Sequence, residues 1–208
     1  MTRTMDVVES LKLLSKYKIQ VAHAHLAKNE KELLRFVKKT GFPLVLKVVS
    51  KKAVHKTEHK GVYTNIKSEK EAQNAFKKLQ KISGFEGALV QQQIYGSEWL
   101  IGSKTDTQFG ATIVFGIGGI WVELLKDVTL RVLPVTKKDC EQMIREIKHQ
   151  QLVNGFRGQP PLPQKKAVQT LMQIGKLIQK EKPLEMDINP LIATEKGLIA
   201  VDCRFVFE

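Results

Sequence analysis

Two periodicities alternate along the chain. Leu33, Leu34 and Val37, then Ala72, Ala75, Phe76 and Leu79, then Met143, Ile144 and Ile147 recur every three or four residues, which places them on one face of a helix. These stripes read as core. A capping signal precedes each one: Asn29 with Glu32, Ser68 with Glu71, and Thr136 with Asp139 set a side-chain acceptor three residues before an acid. A further helix is expected after Pro163.

Between the helical stretches, β-rich runs predict strands over Pro43–Ser50, Val62–Ile66, Ala88–Ile94, Glu98–Ser103, Ala111–Phe115, Val128–Pro134, Met186–Ile192 and Leu198–Phe205. Short turns join neighbouring strands, which favours antiparallel or mixed sheets over a doubly wound parallel sheet. The fold class is α+β. Tyr95-Gly96-Ser97 reads as a hinge between an N-terminal subdomain, 1–94, and a C-terminal subdomain, 95–208, and Gln159-Pro-Pro-Leu-Pro163 as a stiff surface loop. No internal repeat or low-complexity tract interrupts this order.

Composition narrows the class. With 208 residues, 42% hydrophobic and 26% charged, the chain has enough apolar content for a core without covalent staples. Its two cysteines, Cys140 and Cys203, have no zinc-ligand spacing and signal no disulfide framework, so a reducing cytoplasm is the expected location. The first ten residues lack the apolar run of a signal peptide. The longest low-charge run, Ala111 to Val122, falls short of the roughly 20 residues that span a bilayer, so no membrane is expected. The net charge of +13 admits nucleic acid as a partner, yet the lysines are spread along helical stretches such as Lys28 to Lys39 and Lys67 to Lys81 without interleaved aromatics. Solvated lysine faces are the expected reading, and a basic nucleic-acid-binding module is kept as an alternative.

Candidate chemistry gathers in three places. In the apolar run from Phe109 to Arg131, Glu123, Asp127 and Arg131 stand four residues apart, a spacing that keeps them on one face of either a helix or a strand. Buried charges need partners, and Gly118-Gly119 allows close backbone approach, so a phosphate, a metal or a partner chain is expected there. Lys47 lies inside the apolar strand Leu44-Val-Leu-Lys-Val-Val49, where it either extends to the surface along its aliphatic stem or is held inside to meet an anion. The donor-rich loop that follows contains His55, either a solvated surface group or a nucleophile or base. Near the C-terminus, Thr194-Glu-Lys-Gly197 reads as a turn between two strands. If Ala193 pairs with Leu198, Asn189 faces Asp202 and Asp187 faces Arg204, all from one sheet face. Such oxygens suit Mg²⁺, and a cross-strand salt bridge on a solvated face is the other reading.

Several ordered motifs carry a resemblance across Val7 to Phe205: Val54-His-Lys-Thr57, Phe109-Gly110, Phe115-Gly-Ile-Gly-Gly-Ile-Trp-Val-Glu-Leu-Leu-Lys-Asp127, Gly155-Phe-Arg-Gly158, Asp187-Ile-Asn-Pro-Leu191 and Val201-Asp202. With these the chain resembles the beta subunit of ADP-forming (NDP-forming) acyl-CoA synthetases and, at greater distance, the beta subunit of succinyl-CoA synthetase. The resemblance implies an ATP-grasp fold of two α+β subdomains that hold ATP or ADP between them. It implies that Lys47 contacts the nucleotide phosphates, that the loop from His55 to Gly61 covers them, that Gln91 meets adenine and that Glu98 lies near the ribose. Asn189 and Asp202 match the Mg²⁺ ligands, and His55 matches a histidine that carries the phosphoryl group transiently. Lys60 stands beside Gly61 where the family usually has two adjacent glycines, adding a cation. The implied reaction is acyl-CoA + ADP + phosphate giving carboxylate + CoA + ATP. It requires an alpha subunit with CoA-binding and ligase-like domains, in a heterotetramer. Gly118, Gly119, Glu123, Asp127 and Arg131 then belong to the active site or to that interface, and a self-contained ATP-grasp carboxylate ligase is the second alternative.

Overall fold

The computed structural model describes residues 2–50, 61–119 and 122–208. The elements begin with β1 (Arg3–Thr4), α1 (Val7–Lys16), β2 (Ala24–Ala27), α2 (Glu30–Thr40), β3 (Leu44–Ser50), β4 (Val62–Ile66), α3 (Glu69–Leu79) and β5 (Phe85–Gln92). They continue with β6 (Ser97–Asp106), β7 (Gly110–Ile117), α4 (Val122–Leu125), β8 (Val128–Val132), α5 (Lys137–Arg145) and α6 (Gln150–Val153). The last are α7 (Gln164–Glu181), β9 (Glu185–Thr194), β10 (Gly197–Ala200) and β11 (Arg204–Phe207). Strand partners within both sheets run antiparallel. Among the described residues no helix is long and apolar enough to cross a membrane.

The predicted caps hold their helices. Asn29 Oδ1 accepts the Glu32 N–H at 3.0 Å, Ser68 Oγ the Glu71 N–H at 3.2 Å, and Thr136 and Asp139 exchange bonds in a capping box. Helix α1 starts with a box of its own, in which Asp6 Oδ1 accepts from Glu9 N at 2.8 Å and Glu9 accepts from Asp6 N at 3.3 Å. The same three-residue spacing of acceptor and acid stands in the sequence at Asp6 and Glu9.

Two compact units result: Ala22–Ile94, and Met1–Val21 together with Tyr95–Glu208. A single unit for 1–94 is therefore corrected for its first 21 residues. The reason is strand pairing: β1 pairs with β11, with Arg3 opposite Phe207, and the Met5 N–H bonds to the Phe205 carbonyl.

In the Ala22–Ile94 unit a four-stranded sheet, in the order β2-β5-β3-β4, buries one face under α2 and α3. Leu44, Leu46 and Val48 of β3 and Ala88 and Val90 of β5 meet Leu33, Phe36 and Val37 of α2 and Ala72, Ala75, Phe76 and Leu79 of α3. Alternation along β3 and β5 sends Val45, Lys47, Val49, Leu89 and Gln91 to the opposite face.

The other unit is built on a seven-stranded sheet, β1-β11-β9-β6-β7-β8 with β10 on β9. Helices α5 and α7 cover one face, where Ile101, Ile113, Phe115, Ile188 and Phe205 are fully buried and the Trp99 and Phe115 rings stack 5.3 Å apart. The register places Gly102, Val114, Leu130 and Asp187 on the opposite face. The strand expected over Leu198–Phe205 is two strands, β10 and β11, separated at Val201–Cys203.

Candidate functional site

Strand register builds the first half of the site. Ala193 pairs with Leu198 and Asp187 with Arg204, as the turn at Thr194–Gly197 predicted, so Asn189 lies opposite Asp202 across the unpaired gap. Between Ile101↔Ile188 and Trp99↔Leu191, β9 spends one more residue than β6. This bulge at Asn189-Pro190 lets Asn189 leave the buried face while Leu191 returns to it. Burial first, and the Asp202 charge second, raise the pKa of the Asp187 carboxyl above its ordinary value, while Arg204 opposes them. The three charged groups thus act on one another. Cys203, buried next to them, has its thiol pushed well above the usual range by burial and then by Asp202 and Asp187, which leaves it unreactive.

The glycine pair supplies the second half. Gly118 N–H donates to the Glu98 carbonyl at 2.9 Å, and a Cβ on Gly118 would stand 2.3 Å from the Trp99 carbonyl oxygen. Gly119 adopts φ +66°, a region that favours glycine, and its N–H donates to Asn189 Oδ1 at 2.8 Å. A Cβ there would lie 1.6 Å from Glu98 Oε2, so the Glu98 carboxylate rests on the turn. Burial raises the Glu98 pKa above its ordinary value although one side of the residue stays open to solvent. Glu98, Gly118, Gly119 and Asn189 are thereby one constellation, joined across 70 residues of sequence by a hydrogen bond that no local pattern announces.

Asp127 and Arg131 turn to different partners and do not share a face, and that part of the expectation is corrected. Glu123 belongs to the one-turn helix α4, Asp127 to the connection after it and Arg131 to strand β8, so no single periodicity runs through them. The Glu123 side chain lies outside the described residues. Asp127 is buried and turns to the α5–α6 connection, accepting from Lys148 N at 3.0 Å, His149 N at 2.8 Å and His149 Nδ1 at 2.7 Å. Burial would raise its pKa, but these bonds outweigh burial and the net shift is downward. Arg131 instead pairs with Glu146 at 2.6 Å. His149, the partner of Asp127, was not among the predicted residues, because a contact 22 residues away leaves no spacing to read.

In the Ala22–Ile94 unit, Lys47 is 7% exposed and Gln91 1%, both on the sheet face away from the helices, with Lys47 opposite Leu89 and Gln91 opposite Val45. Lys47 is held inside the protein and does not extend to the surface along its stem. The buried Gly61 adjoins β3, its carbonyl accepting from Val48 N at 2.8 Å. His55 and Lys60 lie outside the described residues.

Asn189 and Asp202 offer an amide and a carboxylate oxygen, the hard donors Mg²⁺ takes, so the residues present fit that ion. Among the described residues no group of three or more His, Cys, Asp or Glu is placed to hold a metal by itself. An ion here would complete its shell with phosphate oxygens and water.

Comparison with known proteins agrees with this architecture. The pattern of the ATP-grasp domain family matches residues 1–207. The acetate–CoA ligase [ADP-forming] I subunit beta of Pyrococcus furiosus is 37% identical over 207 residues, covering 95% of this chain and 89% of its own. The acetate–CoA ligase [ADP-forming] II of Archaeoglobus fulgidus is 38% identical over 199 residues, but this chain spans only 29% of its length. Among solved structures, dinucleotide forming acetyl-coenzyme A synthetase 1 of Ca. Korarchaeum cryptofilum, in complex with coenzyme A, Ca-AMPCP and HgCl+, superposes with a TM-score of 0.92 at 38% identity, over 99% of this chain and 94% of that one. With the α+β architecture, the hairpin register and the glycine turn already in place, these matches show that the chain belongs to the ATP-grasp family, among the beta subunits of ADP-forming acetate–CoA ligases.

Proposed function

We propose that this chain is the nucleotide-binding subunit of a cytoplasmic ADP-forming acyl-CoA synthetase that interconverts acyl-CoA, ADP and phosphate with carboxylate, CoA and ATP. The observation that carries the reading is the oxygen pair Asn189 and Asp202, brought opposite each other by the β9–β10–β11 register and anchored at Asn189 by the Gly119 N–H. The Korarchaeum structure, which contains a calcium-bound nucleotide analogue, supports the same choice of ligand.

Each residue then has a task. Lys47 offsets negative charge on the nucleotide phosphates, and the loop from His55 to Gly61 shields them from water. Gln91 recognises the base and Glu98 the ribose. Asn189 and Asp202 hold Mg²⁺, which when bound neutralises charge on the phosphate oxygens. His55 accepts the phosphoryl group from the partner subunit, an N–P bond forming as the donor's bond to phosphorus breaks, and passes it to the terminal phosphate oxygen of ADP as that N–P bond breaks in turn. Asp187 and Arg204, paired across β9 and β11, set the local charge beside this path.

The partner is an alpha subunit with CoA-binding and ligase-like domains, in a heterotetramer. The Pyrococcus subunit beta, matched over 89% of its own length, supports a division of labour. So does the edge strand β8, whose Val128, Leu130 and Val132 all stand exposed on one side. The experiment is purification of the native complex, followed by assay of ATP formation from acyl-CoA, ADP and phosphate. With labelled ATP, acid-labile phosphate should appear on this chain and vanish in His55→Ala. Label that survives the substitution removes His55 as the carrier, and ligase turnover by this chain alone favours the self-contained alternative.

A further inference from the structure

We infer that the Gly118–Gly119 turn is a positioning device for Asn189: the Gly119 N–H dictates which way the Asn189 amide points and so presents its oxygen to a metal–nucleotide complex. The inference rests on the proposed role of Asn189 as a Mg²⁺ ligand. An asparagine amide has two opposite ends, and a half-turn about its last bond exchanges an acceptor for a donor. Only the oxygen suits Mg²⁺. A backbone N–H donates and cannot accept, so the 2.8 Å contact from Gly119 selects Oδ1 and excludes the flipped amide. That oxygen keeps a second lone pair for the cation.

The donor is itself held in place. Gly118 is tied to β6 by its bond to the Glu98 carbonyl and by an approach to Trp99 too close for any side chain. Strand β6 pairs directly with β9, which carries Asn189 at its bulge. Donor and acceptor are therefore both referenced to β6. The φ of +66° at Gly119 aims the N–H, and the Glu98 carboxylate fills the space above its Cα. An alanine at position 119 must displace that carboxylate and hold a backbone conformation it disfavours, so its N–H moves off Asn189.

Mn²⁺ is the probe, its binding to the chain with ADP followed by electron paramagnetic resonance, and ADP affinity without metal is measured beside it. Gly119→Ala is expected to weaken Mn²⁺ binding about tenfold to a hundredfold, the range for residues that orient metal ligands, and the metal-free ADP affinity reports separately any loss through the displaced Glu98 carboxylate. Asn189→Asp, which keeps an oxygen acceptor, should retain Mn²⁺, and Asn189→Leu should lose it. A second measurement needs no glycine substitution: hydrogen exchange of the Gly119 amide should be slow in the native chain and fast in Asn189→Leu. Native Mn²⁺ affinity in Gly119→Ala, or equal exchange rates in those two proteins, overturns the inference. Native Mn²⁺ affinity in Asn189→Leu overturns the ligand role on which it rests, and if exchange at Gly119 is still slow in the native chain and fast in that variant, the contact is structural only.

Discussion

Replacing Asp127 separates structure from catalysis in the most diagnostic stretch of the chain. The side chain is 3% exposed and accepts three hydrogen bonds, from Lys148 N, His149 N and His149 Nδ1. A carboxylate only accepts, so Nδ1 carries the proton in that pair. In Asp127→Ala these donors lose their partner. Lys148 and His149 are exposed enough for water to reach them, which puts each loss at the low end, about 1 kcal/mol, and the sum at about 3 kcal/mol. At this chain length that lowers Tm by about 6 to 12 °C in calorimetry. The pH dependence follows from the lowered pKa of Asp127, whose ordinary value is 3.8. A depressed carboxyl stabilises the fold fully above that value and loses its contribution as pH falls through the lower, folded-state pKa. The Tm gap between native and variant protein should thus be widest near neutral pH and close in acid. ADP affinity should remain native at a temperature where both are folded. A Tm within about 1 °C of native refutes the capping role, and a large loss of ADP affinity without a change in Tm returns Asp127 to the active site.

Three further outcomes follow from the geometry. Burial first, and the Glu181 carboxylate second, push the Tyr17 hydroxyl up to about 12. The Tyr17–Glu181 bond therefore stabilises the fold below pH 10 and is lost as pH rises toward 12, so Tyr17→Phe should cost about 1 kcal/mol at pH 8 and flatten the alkaline fall in a denaturant titration. A Cβ on Gly96 would lie 2.0 Å from the Ala193 carbonyl oxygen, so Gly96→Ala should destabilise by about 3 kcal/mol or more or fail to accumulate, and a native urea midpoint contradicts the close approach. Lys47→Met keeps the aliphatic stem in the sheet and removes the charge, so equilibrium binding should show ADP affinity falling about tenfold or more.

What the sequence disclosed follows from how local each signal is. The caps at Asn29, Ser68 and Thr136 and the pairing of Ala193 with Leu198 depend on residues within a few positions of one another, so their spacing was enough. The break at Val201–Cys203 was hidden because apolar Val201 and Cys203 flank Asp202 in a pattern that alternates as a strand does. The N-terminal segment was assigned to the wrong unit because its partner, Arg204–Phe207, lies at the other end of the chain. Four-residue spacing misled at Asp127 and Arg131 because it holds only within one regular element, and here a connection gives way to a strand. Sequence alone could not tell that Lys47 is buried, and Gly119 needed the Asn189 contact to acquire a task.

Titration calorimetry of the chain with Mg-ADP tests the central claim most directly. The native protein should bind with a stoichiometry of one. Asp202→Asn should weaken binding about tenfold or more, a loss of at least about 1.4 kcal/mol, because it removes the charge of one of two oxygen donors set opposite each other by the β9–β10–β11 register. Absence of binding by the native chain, or equal affinity in Asp202→Asn, contradicts the nucleotide site. Salt-sensitive binding of RNA or DNA in its place would instead support the basic module that the +13 charge first admitted.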